Sequence, residues 1–282
     1  MRFYIIIPAY NEEAHIAETL QSLVSQTYLP EQIVVVNDNS TDRTQEIIAE
    51  FSNKYAFIRN VFNSSDTKHS PGSKVIDAFN HGLSQLDRDY DVICKFDADL
   101  IFPNFYLESL KDLFESNIKN GIVGGFCYIQ NKGQWILEDL TNEDHVRGAL
   151  KAYRKSCFDE IGGLKSSMGW DTVDELLARY HGWEIQTNPN LKVKHLKPTG
   201  KAYTKEARLK QGEAFYKMRY GFILTLVATL KLSFKKRSLS FLVQTLKGYF
   251  SAKKNRIRFL VSDEEGSFIR KYRWKNIRKK LF

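Results

Sequence analysis

Cysteine is scarce in this chain. Three stand in 282 residues, Cys94, Cys127 and Cys157, widely spaced and without a CxxC pair. That excludes a disulfide scaffold and a cysteine-built zinc site, and it suits a reducing compartment. Long apolar runs are missing as well. The N-terminal stretch Met1-Arg-Phe-Tyr-Ile-Ile-Ile-Pro8 is far too short for a signal peptide or a spanning helix, and the run Gly221 to Leu230 covers half a bilayer. No GxGxxG follows the first strand-like segment, which argues against a dinucleotide fold of the usual kind. Acidic residues nearly vanish toward the C-terminus. Residues 231–282 hold 16 Lys and Arg against 3 Asp and Glu, a surplus of +13 in a chain whose net charge is +9, which leaves −4 for residues 1–230. A basic end on a mildly acidic body is built to meet something anionic: a membrane surface, nucleic acid or a phosphorylated lipid.

What is present reads as a globular protein. Hydrophobic residues make up 43% and charged residues 27%, which excludes wholesale disorder, and the length allows one large domain or one domain with an appendage.

The stretch Asp91-Val-Ile-Cys-Lys-Phe-Asp97-Ala-Asp99 organises the rest. Val92, Ile93 and Cys94 form the apolar front of a buried strand in a mostly parallel sheet. Residues i and i+2 of a strand point the same way, so Asp97 and Asp99 converge if the strand continues that far. Converging carboxylates repel each other unless a cation lies between them, and a hard divalent ion with open positions for phosphate oxygens meets that need. The other reading is a strand-to-turn junction, since Asp favours turns and Pro103 follows.

Upstream, Phe3 to Ile7 is a short apolar strand ended by Pro8. The loop Ala9-Tyr10-Asn11-Glu12 leads to a helical stripe of Ile16, Leu20, Leu23 and Val24, with Asn11 a candidate N-cap. Gln32 to Val36 is a second strand, ending in Asn37-Asp38-Asn39-Ser40-Thr41-Asp42. Ser40 or Thr41 can cap the next helix, and Asp42 reads as a first-turn charge. Asp38, at a strand end, can accept hydrogen bonds from a base or ribose. In open α/β sheets ligands bind beyond the carboxyl ends of strands, where both loops lie.

Ala56 to Val61 predicts a third strand and Asn63 to Ser73 a loop. Lys74 then opens a helix, an unfavourable place for a cation in dipole terms unless a diphosphate lies opposite. Gly121 to Ile129 predicts a strand whose double glycine, Gly124-Gly125, lets something approach the backbone. Residues 130–145 read as irregular. Asp171 begins a helix beside Trp170, either as a general base or as a simple cap. His195 lies in an extended segment among basic neighbours, as a structural histidine or a third metal ligand. Beyond residue 204 the chain is helical. Leu232, Phe234, Leu239, Phe241, Leu242, Leu246, Tyr249 and Phe250 alternate with Lys and Arg, the pattern of an interfacial helix on anionic lipid or of helices packed onto the body.

In this order the motifs resemble the family 2 glycosyltransferases, whose catalytic domain has the GT-A fold. The series is Ile-Ile-Pro8-Ala9-Tyr10-Asn11-Glu12, Val-Asn-Asp38-Asn39-Ser40-Thr-Asp42, Lys74 with Asn80-His-Gly82, Asp97-Ala98-Asp99, Ile161-Gly-Gly163 and Trp170-Asp171. The resemblance covers residues 3–200. It implies an α/β, Rossmann-like, mostly parallel sheet flanked by helices, a catalytic domain over 1–203 and a helical basic extension over 204–282. It further implies transfer of sugar from an NDP-sugar donor, a UDP-sugar favoured, to an acceptor hydroxyl with inversion. Pro8 to Glu12, Asp38, Asn39, Ser40 and Lys74 would hold the nucleotide. Asp99 would bind Mn²⁺ or Mg²⁺, with Asp97 and Ala98 beside the nucleotide and His195 completing the metal shell. The family's Glu-Asp pair falls at Trp170-Asp171, where tryptophan replaces the glutamate, leaving Asp171 as base and Asp174 in reserve.

The QxxRW motif of processive members is absent, which points away from a polymerising synthase. The expected acceptor is a glycan or lipid-linked glycan met at the cytoplasmic face of the inner membrane, with an anionic membrane surface rather than nucleic acid as the tail's partner. Two alternatives stand beside this: a nucleotidyltransferase, disfavoured because Pro8 to Glu12 lacks a glycine-rich loop with Arg and Lys, and an inactive membrane- or polyanion-binding protein.

Overall fold

A computed structural model describes residues 1–64, 72–138, 143–197 and 205–281. Strand β1 (Phe3–Ala9) leads into α1 (Ile16–Val24), β2 (Gln32–Asn37) into α2 (Thr44–Lys54), and β3 (Ile58–Phe62) is followed by α3 (Lys74–Ser84). Next come β4 (Val92–Phe96), β5 (Leu100–Ile101), α4 (Tyr106–Ser116), β6 (Asn120–Asn131), β7 (Gln134–Leu137), β8 (Leu150–Arg154), α5 (Lys155–Glu160), α6 (Trp170–Tyr180) and β9 (Glu184–His195). The C-terminal helices are α7 (Lys205–Lys217), α8 (Gly221–Lys236), α9 (Leu239–Lys254) and α10 (Asp263–Leu281).

The strands form one sheet in the order β3-β2-β1-β4-β8-β6-β9-β5, with β7 on the side of β6. β3, β2, β1 and β4 are parallel; β8 runs antiparallel between β4 and β6, β9 is parallel to β6, and β5 antiparallel to β9. The parallel half carries the near-continuous apolar runs expected of strands covered on both faces, with Phe3, Ile5, Ile6 and Ile7 and the run Ile33 to Val36 all fully buried. Each such aliphatic side chain contributes roughly 1.5–3 kcal/mol of burial. α1 turns Ile16, Leu20 and Leu23 inward at helical spacing.

Because β1, β2 and β4 are parallel and in register, Ala9 opposite Asn37 and Ile6 opposite Lys95, their carboxyl ends share one rim. The strand order also reverses at β1, which places the first two loops and the Asp97–Asp99 turn at a topological switch point.

Several local expectations change. Asn11 does not cap α1; His15 occupies that position, while Asn11 takes a φ of 52° and turns its side chain to the loop after β2. Neither Ser40 nor Thr41 caps α2; Asp42 Oδ1 accepts from Thr44 N at 3.0 Å. The segment 130–145 is not wholly irregular, since β7 pairs with β6 as a hairpin. The Gly124-Gly125 pair serves the protein's own packing. A Cβ on Gly124 would stand 2.3 Å from Val146 Cγ1, and one on Gly125 2.3 Å from the Leu191 carbonyl. Residues 65–71 of the expected loop, residues 139–142, and the 203/204 boundary lie outside the described residues.

The chain divides into two compact units. The first comprises Met1–His69, Lys74–Leu164 and His181–Thr199, and holds the sheet; the second comprises Ser70–Ser73, Lys165–Tyr180 and Gly200–Phe282. In the second unit α6 packs with α10, the Tyr180 and Phe268 rings meeting edge to face at 5.5 Å and the Arg179 guanidinium lying 5.6 Å from the Tyr272 ring centre.

Candidate active site

At the shared rim the first two loops are stitched together by backbone amides. Asn11 N donates to Ser40 Oγ (3.0 Å), Glu12 N to Thr44 Oγ1 (2.8 Å) and Glu13 N to Asp42 Oδ2 (3.1 Å), while Thr41 N donates to Asn11 Oδ1 (2.8 Å). These bonds join the ends of β1 and β2 into one rigid floor. Pro8 and the buried Ala9 lead into it, and the Tyr10 side chain stands exposed at its edge. Asp38 is buried at the end of β2, its Oδ1 accepting from Asn63 Nδ2 at 2.8 Å, and Asn39 follows with a φ of 63°.

Glu12 is the unusual member. Its Oε1 accepts from Lys197 Nζ at 2.7 Å, whereas its Oε2 is buried with no hydrogen-bond partner among the described residues. Burial pushes the carboxyl up from its ordinary value and Lys197 opposes that, with Asp99 adding a like charge. An unsatisfied buried acceptor costs about 1–3 kcal/mol, so the floor gains when a ligand brings a donor to it.

The central strand ends sooner than the alternation argument requires. β4 stops at Phe96, and the two aspartates part company. Asp97 pairs with Lys95, a buried lysine on the same strand face whose Nζ also donates to the Gly148 carbonyl at 3.1 Å. Asp99 is buried and faces His195, Oδ2 to Nε2 3.4 Å. Between them the Ala98 carbonyl accepts from Thr19 Oγ1 at 2.8 Å, and the same hydroxyl accepts from Leu100 N at 3.0 Å, which ties the turn to α1.

His195 ends β9, opposite Leu100 of β5. Its Nδ1 lies 3.1 Å from Glu138 Oε2, and Arg147 Nη2 lies 3.0 Å from the same oxygen. Burial, the largest single influence, lowers the imidazole, but Asp99 and Glu138 together outweigh it and raise it to about 9. The spacing of Asp99 and His195 suits a divalent cation: two ligands at right angles about one ion stand about 3 Å apart at its usual bond lengths. Glu138 on the far nitrogen would fix the imidazole's orientation, the usual second-layer arrangement for a ligating histidine. Cys127, Glu138 and His195 also bring ligand atoms within 4.8 Å of one another. Burial pushes the Cys127 thiol up to about 12, however, with Arg147 opposing and Glu138 reinforcing, so the sulfur stays protonated and suits a hard cation poorly.

Lys74 opens α3 in its first turn. Asp171 stands in the first turn of α6, with Asp174 and Glu175 buried on the same helix. Asp171, Asp174 and Glu175 belong to the second unit, whereas Lys74, Asp38, Asp97, Asp99 and His195 belong to the first.

Sequence reasoning missed Lys95, Thr19, Lys197 and Glu138. Lys95 carried a signal: a lone lysine inside an apolar strand, two residues before an aspartate and therefore on its face. Glu138 carried none, because its place depends on the β6–β7 hairpin.

Residues 4–164, more than half of the chain, match the family described as Glycosyl transferase family 2. The chain belongs to the family 2 glycosyltransferases. The chain is 42% identical over 195 residues to the probable glycosyltransferase YdaM of Bacillus subtilis (strain 168), covering 62% of this chain and 43% of that protein. It is 34% identical over 188 residues to the poly-beta-1,6-N-acetyl-D-glucosamine synthase of Staphylococcus epidermidis, covering 59% of this chain and 41% of the synthase. It therefore spans about two fifths of the length of these curated relatives.

Among solved structures, S. aureus TarS 1–349 in complex with UDP-GlcNAc superposes with a TM-score of 0.57 at 22% identity, over 89% of this chain and 73% of that one. The mannosyltransferase PcManGT of Pyrobaculum calidifontis, in complex with GDP-Man and Mn²⁺, gives 0.58 at 17% identity, over the whole of this chain and 81% of its own. These likenesses establish the mixed α/β, GT-A-like fold.

Proposed function

We propose that this glycosyltransferase moves a sugar from a UDP-sugar to an acceptor hydroxyl with inversion, in a single transfer per encounter, during synthesis of a cell-surface glycan. The observation that carries the reading is the rim itself. A stitched floor with a donor-seeking Glu12 adjoins a buried Asp99–His195 pair spaced for a divalent cation. Solved neighbours hold UDP-GlcNAc in one case and GDP-Man with Mn²⁺ in the other, which supports a nucleotide sugar and a Mn²⁺ or Mg²⁺ ion as the groups this rim takes.

In this reading Pro8 to Glu12, Asp38, Asn39 and Ser40 hold the nucleoside, with Lys74 toward the diphosphate and Asp97 and Ala98 beside the ribose. Asp99 and His195 hold the cation, which when bound stabilises charge on the departing diphosphate. Asp171 accepts the acceptor's hydroxyl proton as its oxygen bonds to the anomeric carbon and the diphosphate leaves from the opposite face. Asp174 is the reserve base. The acceptor is a lipid-linked glycan, reached from the cytoplasmic face of the membrane.

The deciding experiment screens UDP-, GDP- and dTDP-sugars for donor hydrolysis with and without Mn²⁺, starting from UDP-GlcNAc. Metal-stimulated hydrolysis confined to UDP-sugars supports the proposal; hydrolysis of only GDP- or dTDP-sugars, or none, overturns the donor assignment.

A further inference from the structure

Helices α8 and α9 each leave a row of large apolar side chains outward. On α8 the inward residues are Thr225, Thr229 and Ser233 with Leu224, and the hydroxyls are satisfied locally: Thr225 Oγ1 donates to the Gly221 carbonyl, Thr229 Oγ1 to Thr225 and Ser233 Oγ to Ser238, each at 2.7 Å. The large apolar residues lie on another side. Ile223, Val227, Leu230 and Phe234 form a stripe at i, i+4, i+7 and i+11, with Ile223 67% and Phe234 85% exposed.

α9 repeats the spacing with Leu239, Val243, Leu246 and Phe250, where Leu239 is 79% exposed. Phe222, at the start of α8 and itself exposed, meets Phe250 of the α9 stripe, the rings 5.5 Å apart. Behind them α9 crosses α7 at backbone distance. A Cβ on Gly212 would lie 1.8 Å from the Thr245 carbonyl oxygen and one on Gly248 2.0 Å from that of Leu209. α9 also buries Phe241 and Tyr249 beside the small Thr245, Gly248 and Ala252, yet on both helices a row of large apolar side chains is left outward, as on helices whose surroundings are lipid rather than water.

The charges select the occupant. From Gly221 to Lys254 there is no Asp or Glu against seven Lys and Arg. A two-fold dimer through this face would set those cations against their own copies, which disfavours a second copy of the chain. The Lys236 ammonium is already held below its ordinary value, by burial first and then by Lys235 and Arg208. No helix among the described residues is long and apolar enough to cross a membrane.

We propose that α8 and α9 form a monotopic docking element that lays its two apolar stripes into the headgroup–acyl boundary of an anionic bilayer, with Lys231, Lys235 and Lys247 against lipid phosphates. The inference rests on the sugar-transfer reading only for the reason to visit a membrane, a lipid-linked acceptor.

The test uses the full chain and phosphatidylcholine vesicles with or without phosphatidylglycerol. Binding is expected only with phosphatidylglycerol and falls with added salt. Replacing Phe234→Gln and Leu239→Gln together weakens partitioning about a hundredfold, roughly tenfold per exposed side chain. Lys231→Gln, Lys235→Gln and Lys247→Gln each weaken it about fivefold. Donor hydrolysis measured without vesicles is unchanged in all of them. Three results overturn the proposal: no preference for anionic vesicles, full binding by the Phe234/Leu239 variant, or a wild-type dimer that this variant dissociates. Binding with the expected variant profile but no donor hydrolysis keeps the docking element and removes the sugar-transfer reading instead.

Discussion

His195 ties the stability of the metal-free protein to pH in a direction opposite to that of an ordinary buried histidine. Burial alone favours its neutral form, yet Asp99 at 3.4 Å and Glu138 at 3.1 Å hold it protonated to about pH 9. Its folded value exceeds the ordinary 6.5, so its contribution is complete below pH 6.5 and disappears as pH rises through about 9. That gap corresponds to roughly 3 kcal/mol at about 1.4 kcal/mol per pH unit, and the side chain is buried enough that solvent screening takes little from it.

The perturbation is His195→Asn, which keeps a polar group between the carboxylates but does not titrate. Urea unfolding with EDTA present, at pH 6 and at pH 9.5, measures it. Wild type should lose about 3 kcal/mol more than the variant between the two conditions, since other titrations cancel in the comparison. Equal losses in both proteins, or a His195 ring resonance titrating near 6.5, would refute the reasoning.

The same proton must leave before His195 can take a metal, so Mn²⁺ binding should release one proton and tighten about tenfold per pH unit below pH 9, read by calorimetry in buffers of different ionisation enthalpy. Asp99→Asn should weaken Mn²⁺ binding about a hundredfold or more and, in EDTA at pH 6, lower the melting temperature by removing one of the two carboxylates that hold His195 protonated, whereas Glu138→Gln should weaken Mn²⁺ binding about ten- to a hundredfold. Asp171→Asn should lower kcat about 10²- to 10⁴-fold while donor Kd stays within about twofold, whereas a loss confined to Kd would move the base elsewhere. Gly248→Val must push α9 off the Leu209 carbonyl and should cost about 3 kcal/mol, a drop of roughly 6–12 °C in the melting transition.

Periodicity along the chain determined most of the scaffold. Apolar runs placed β1, β2 and β4, the i, i+4 stripe placed α1, Lys74 fell in the first turn of α3, and the ordered motifs indicated the family. Each strand, helix and motif here depends on residues within a few positions of one another, and the family on the order in which the motifs follow.

Only the tertiary structure decided the rest. Asp97 and Asp99 were expected to converge, but β4 ends at Phe96, so one carboxylate turns to Lys95 and the other to His195. Glu138 reaches His195 across 57 residues of sequence because the β6–β7 hairpin and β9 lie side by side, and no local pattern encodes that approach. The stripes of α8 and α9 show the same limit. A helical period reveals that apolar residues share a side, but it is identical for a side turned into a core and one turned away from it. Which way the side faces is fixed by what the other helices leave uncovered, and here Gly212 and Gly248 bring α7 and α9 together with the apolar stripes outward.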